Sequence, residues 1–182
     1  PILQYNSQNL ATNEESSHTL IFDNKQARVI PNVGEAPFQA VMIGVKTNSK
    51  VEEISKRFSQ LELRGRIHIL LEALRNIDTR IEKLSLLYFG GIPLIHGDIG
   101  IGRLLPLQLM GEGMSRLASI IVSMGIAENG ILLIDEIENG LHYSVQEDVW
   151  KAIGQAAKDF NVQVFATTHS LEMIRAAHEA FK

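Results

Sequence analysis

Two apolar runs in this chain end in residues that can do chemistry. Ile131-Leu132-Leu133-Ile134 runs into Asp135-Glu136, and Val162 to Ala166 runs into Thr167-Thr168-His169-Ser170. A wholly apolar run of this length suits a strand of a parallel sheet covered on both faces. Open parallel sheets bind ligands at the carboxyl ends of their strands. Two acids at such an end cost desolvation unless a cation or bound water compensates. Asp135 is placed to hold a magnesium ion, directly or through water. Glu136 would then polarise a water attacking a terminal phosphate. If the two strands are neighbours, His169 sits beside Glu136 and can hydrogen-bond a phosphate oxygen or the attacking water. Blander readings exist for each piece: a buried strand entering an acidic loop, and a histidine near a helix start satisfied by backbone. The pairing of both strand ends, one helix apart, favours the site.

Two further segments flank these ends. Ile137-Glu138-Asn139-Gly140-Leu141-His142 contains an Asn-Gly pair that tolerates positive φ and swings the chain away from the sheet. It is equally a plain strand-to-helix connection. Upstream, Met110-Gly111-Glu112-Gly113-Met114-Ser115-Arg116-Leu117 places glycines at the opening of an amphipathic helix. Bare N–H groups at a helix start bind anions. Gly111 and Gly113 let a phosphate come close, and Arg116, one turn in, adds charge. The alternative is a glycine-containing loop before a core helix.

The elements that must hold these residues are legible in outline. From about residue 109 the pattern is helix, strand, helix, strand, helix, which implies a right-handed crossover and a parallel pair. Met114, Leu117, Ile121 and Met124 share one helical face; Ser144 with Glu147 reads as a capping box for the helix carrying Val149, Trp150 and Ile153; Ser170 N-caps the last helix, with Leu171, Ile174, His178 and Phe181 on one side. Before residue 109, Thr19 to Phe22 and Ala27 to Ile30 around Asp23-Asn24 suggest a hairpin, Phe38 to Ile43 a strand, and Ser49 with Glu52 a capped helix. Ile67, Leu70, Leu74, Ile77, Ile81 and Leu84 keep the spacing of one longer helix, and Gly90-Gly91 between apolar runs reads as a hairpin turn. Residues 1 to 17 look polar and patternless. The expected division is therefore 1–17 loose, 18–108 hairpins and helical lobe, and 109–182 the part that carries the chemistry.

Composition narrows the class. The 182 residues are 45% hydrophobic and 21% charged, as in soluble globular proteins, with a formal net charge of -4. That charge gives no global attraction to nucleic acid. With no cysteine, disulfides and thiolate zinc sites are excluded. No apolar run is long enough for a spanning helix and no signal peptide is visible, so a cytoplasmic protein is the default.

Taken in this order, the four segments resemble the ABC-type ATPases of the recombination and overcoming-lysogenization-defect group. The likeness is to AAA-family ATP-binding proteins with RecF-like and OLD-like heads, over roughly residues 85 to 182. It implies an α/β fold, an incomplete P-loop NTPase of ABC type with a parallel sheet core, flanking helices and an N-terminal hairpin and helical part. In it Asp135-Glu136 looks like Walker B, Asn139 to His142 like the D-loop, His169 like the switch histidine, and Gly111 to Arg116 like the signature. The implied cofactors are ATP and Mg2+. The implied partner is a second head in a homodimer that sandwiches two ATP molecules, with Gly111, Gly113, Ser115, Arg116 and Asn139 on the nucleotide side. Gly111 and Met114 stand where ABC signatures have serine and glutamine or glutamate, so the hydroxyl contact to a partner's ATP is either missing or supplied differently, with Ser115 as the candidate. No G-x-x-x-x-G-K-[ST] occurs; Gly97 to Arg103 lacks the lysine and the following Ser or Thr. With Pro1 in place of Met, the chain reads as a C-terminal part whose phosphate-gripping Walker A lobe lies upstream, inactive when isolated. DNA repair or phage defence, with a nuclease partner or DNA, is implied by analogy alone. The competing readings are a metal-dependent hydrolase or nuclease using Asp135, Glu136, Glu138, His142 and His169, and a non-catalytic dimerisation or regulatory module.

Overall fold

The computed structural model describes residues 2–8, 13, 15–23, 26–30, 38–44 and 51–182. The chain forms two compact units, 1–37 and 38–182. The division falls elsewhere than at 17/18 and 108/109, for a reason visible in the pairing.

In the first unit, β1 (Ile2–Gln8), β2 (Glu15–Asp23) and β3 (Gln26–Ile30) form an antiparallel sheet in the order β1-β2-β3. The β2–β3 hairpin is the expected one, with Asp23 opposite Gln26. The segment expected to be loose is instead a strand, in register from Ile2 opposite Ile21 to Gln8 opposite Glu15. A polar strand carries no alternation to read; its backbone pairing with β2 organises it.

The second unit is built on two three-stranded sheets. β4 (Ala40–Ile43), β8 (Ile131–Ile134) and β9 (Gln163–Ala166) run parallel in the order β4-β8-β9. β5 (Lys83–Phe89), β6 (Ile92–Asp98) and β7 (Leu104–Pro106) are antiparallel. The β5–β6 turn is the Gly90-Gly91 pair, both residues at positive φ. Because residues 40–43 supply an edge of the parallel sheet, the strand and helices before residue 109 belong to the same body as the chemistry.

The helices are α1 (Val51–Leu63), α2 (Ile67–Arg75), α3 (Glu112–Ile126), α4 (Gln146–Asp159) and α5 (Leu171–Ala180). α3 is the centre of the core: every residue from Leu117 to Gly125 is buried. Its neighbours α1, α2 and α4 close around it, and a Cβ on Gly125 would come within 2.3 Å of Leu61.

Two expected features differ. The helix begun at Ile67 stops at Arg75, short of Leu84. The Asn76 amide donates to the carbonyls of Glu72 and Ala73, and Asp78 accepts from the backbone N–H of Arg80. These local bonds end the helix. Ile81 and Leu84 still reach the core, from a turn and from β5. The Ser144–Glu147 capping box does not form. α4 starts at Gln146 with no side-chain cap, while His142 caps the short 3-10 turn Tyr143–Val145. Ser170 does cap α5, accepting from the N–H of Met173 at 3.2 Å. Only Met173 of α5 is buried, whereas Leu171, Ile174 and Phe181 are exposed. Ser49, the proposed cap of α1, lies outside the described residues.

Candidate functional site

The parallel register brings the two reactive strand ends together. Ile134 lies between Ile43 and Ala166, and the ladder continues past the strands. Asp135 N donates to Ile43 O at 2.8 Å, Thr167 N to Ile134 O at 2.9 Å, and Ile137 N to Thr167 O at 3.0 Å. Asp135-Glu136 and Thr167-Thr168-His169 are therefore adjacent backbones, as the expected site requires.

Thr167 joins them chemically. Its hydroxyl donates to Asp135 Oδ1 at 2.8 Å and accepts from Glu136 N at 3.0 Å. Sequence reading missed this residue. The available signal was a hydroxyl placed directly after the last strand residue, in register with the acids.

Glu136 adopts φ 47°, the left-handed region, as a non-glycine residue. Such a conformation costs roughly 1–3 kcal/mol and persists where neighbours over-determine it. Here its N–H goes to Thr167 and its carbonyl accepts from Asn139 N at 3.1 Å. Its carboxylate Oε2 accepts from Asn139 Nδ2 at 2.9 Å. Asn139, expected on the nucleotide side, thus holds the candidate base of its own site. Gly140 follows at φ 76°, making the expected turn away from the sheet.

Glu138, previously only a potential metal ligand, ties in the histidine segment. Its Oε1 accepts from His169 N at 2.8 Å. Burial pushes its pKa up, but the bonds from the His169 N–H and the Thr168 hydroxyl outweigh that and hold the carboxyl below its ordinary range. The His169 side chain is exposed at the strand end.

The signature segment divides. Gly111 is exposed at the start of α3, and Gly113 lies against Gly140 and Leu141, so the helix start rests on the Asn-Gly turn. These glycines line an open cleft of about 520 Å³ with Glu112, Leu141 and His142. Ser115 and Arg116 face inward. The Ser115 hydroxyl is buried without a hydrogen-bond partner, in a cavity shared with Ile54, Ser55 and Ile95. It therefore does not stand in for the missing signature serine in this arrangement. Arg116 Nη2 reaches the carbonyls of Asp135 and Glu136 at 3.4 and 3.3 Å. Burial lowers its pKa, and the neighbouring Glu138 carboxylate opposes that. Both residues depart from the expected placement toward a partner's phosphate because their positions on α3 point to the core side of the helix.

Magnesium fits the donor set. Asp135 is a hard oxygen ligand at the mouth of the sheet, steadied by a hydroxyl, and magnesium binds through one or two carboxylates plus substrate phosphates. No group of three His, Cys, Asp or Glu converges to hold a metal ion among the described residues. A caged-metal hydrolase therefore lacks its ligand set there.

The family model of an AAA ATPase domain matches residues 3–174. The chain belongs to that family. The domain is 31% identical over 136 residues to an ATP/GTP phosphatase of Helicobacter pylori, covering 72% of this chain and 35% of that protein. It is 45% identical over 65 residues to an uncharacterized protein of Methanocaldococcus jannaschii, covering 36% of this chain and 57% of that protein. The ATPase domain thus spans about a third to three fifths of these curated relatives. Among solved structures, the SMC head domain from Thermotoga maritima superposes with a TM-score of 0.55 at 12% identity, over 97% of this chain and 66% of that one. At that identity the likeness concerns the fold: a parallel sheet with flanking helices, the α/β architecture of that head domain. No helix among the described residues is long and apolar enough to cross a membrane.

Proposed function

We propose that this chain forms part of an ABC-type ATPase head that binds ATP with magnesium between two heads and hydrolyses it. The observation that carries this reading is Glu136, held in a strained conformation by Thr167 and Asn139 beside Asp135. With Oε2 occupied by Asn139, Oε1 is the oxygen that takes the proton of the attacking water. The water oxygen bonds the terminal phosphorus as the bond to the bridging oxygen breaks, giving ADP and phosphate. Asp135 would hold magnesium, which when bound would neutralise charge on the phosphates. His169, exposed beside Glu136, meets the terminal phosphate. Gly111 and Gly113, at the open start of α3, face the nucleotide of the second head.

No phosphate-gripping motif occurs in the 182 residues, so that grip comes from another segment. The sheet supports this. Met42, Leu133 and Phe165 stand in one register across the parallel strands and are 63%, 39% and 52% exposed. A parallel sheet is stable with both faces covered, and this row is where the rest of a head would pack. The motion driven by the ATPase, with DNA repair or phage defence as the process and a nuclease or DNA as partner, follows by family analogy alone.

The test is magnesium-ATP turnover by this chain and by a parent polypeptide carrying a phosphate loop, each with and without Glu136→Gln. The expected result is turnover by the parent only, reduced about 100-fold or more in the Gln variant, the scale of a lost general base. Turnover by the short chain would reveal a phosphate site within it. Silence from both would move the assignment to a regulatory module that keeps the ATPase fold.

A further inference from the structure

The base of this site is clamped from three directions, and the third comes from α3. Thr167 holds the Glu136 N–H from just beyond β9, and Asn139 holds its carboxylate from the following turn. On the carbonyl side, Arg116 Nη2 spans the two consecutive carbonyls of Asp135 and Glu136, which the left-handed turn points the same way. A guanidinium suits this task because it is planar, always charged and able to fork between acceptors. Its charge is half-buried, which is costly unless balanced. The neighbouring Glu138 carboxylate opposes that cost through its charge, and its Oε1 accepts from the His169 N–H. Arg116 Nε and Glu138 Oε2 are both buried without hydrogen-bond partners.

We propose that Arg116 is a positioning residue: anchored in the buried helix that begins at Gly111 and Gly113, it holds the Asp135–Glu136 carbonyls so that the Glu136 carboxylate stays aimed. This rests on the reading of Glu136 as the base. It makes α3 a rigid link between the helix start that faces the second head and the base of its own head. Arg116 touches neither substrate nor reacting atoms; it acts through the backbone of Glu136. The core around α3 is filled by Leu117, Ile120 and Ile121.

The experiment is amide hydrogen exchange by NMR on the 15N-labelled chain, comparing the wild type with Arg116→Met and Arg116→Lys. Methionine keeps most of the volume and removes the charge and donors; lysine keeps the charge and one point of donation. The expected result in Arg116→Met is exchange about tenfold faster at the N–H groups of Glu136, Ile137 and Asn139. Ile120, Ile121 and Leu132 should keep wild-type rates, and Arg116→Lys should recover part of the protection. Unchanged exchange at residues 136–139 would overturn the proposal. So would equal acceleration of every amide in both variants, since Arg116 would then serve only the folding of the head. In a parent carrying a phosphate loop, Arg116→Met should lower kcat with little change in KM for ATP. Exchange that responds in a parent without turnover would keep the clamp and discard the ATPase reading. Turnover with unresponsive exchange would do the reverse.

Discussion

Glu138 shows how one residue can serve the site without touching its chemistry. Its carboxylate is held below its ordinary range because the hydrogen bonds from His169 N–H and Thr168 outweigh the burial that opposes them. A folded-state pKa below the unfolded one contributes stability that is complete above the unfolded carboxylate value. That contribution is lost as pH falls through the lower folded value. Glu138→Gln keeps an acceptor for the His169 N–H but removes the titration. Urea unfolding at several pH values between neutrality and the acid limb should therefore show a smaller acid-side loss of stability in the Gln variant. Equal loss in both would show that Glu138 carries no shift. The role was hidden in the sequence because a glutamate two residues after a pair of acids has no distinctive spacing; only the placement of His169 N defines it.

Among the elements, the parallel pair β4–β8 depends on one close approach. A Cβ on Gly130, just before β8, would lie 2.0 Å from the Gln39 carbonyl oxygen and 3.0 Å from that of Ala127. Backbone atoms cannot yield as a flexible side chain can. Gly130→Ala should destabilise the domain by about 1–3 kcal/mol, the range of overpacked interiors, read as a lower urea midpoint and faster exchange of the Ala40–Ile43 amides. Gly91→Ala meets nothing within 4 Å at φ 80°. It should cost only about 1–2 kcal/mol of left-handed strain and leave those amides protected. If both variants behaved alike, the close approach at Gly130 would not be what fixes β4. Periodicity served the helices unevenly at this scale. It located α3, α4 and α5, but joined α2 to a turn and a strand. Ile77, Ile81 and Leu84 are apolar at helical spacing because they meet the same core, while Asn76 and Asp78 end the helix locally.

For the molecule as a whole, the open row of Met42, Leu133 and Phe165, with exposed Leu171 and Ile174, leaves a sizeable apolar area facing water. The chain should therefore associate when isolated, with a mass by light scattering that rises with concentration. Leu133→Thr, on the open face and well suited to a strand, should shift that mass toward the monomer. A sharp, reversible and concentration-independent melt of a monomeric wild type would refute this. The same row explains why an apolar strand at Ile131–Ile134 could be read as covered on both faces while only one face is covered by elements of this unit.

The sequence by itself determined the order of the pieces: apolar strands ending in acids and in Thr-Thr-His, glycines before a core helix, an Asn-Gly turn. It pointed to the family too, through the resemblance that these pieces carry in that order. Tertiary structure decided which atoms hold which. The parallel register set Thr167 between Asp135 and Glu136, α3 turned Ser115 and Arg116 inward, and the turn after β8 brought Asn139 back onto Glu136. The physical reason is that residue type and spacing encode what a strand end can do. Hydrogen-bond partners more than a few residues apart are selected by how strands pair and which helix face meets the core.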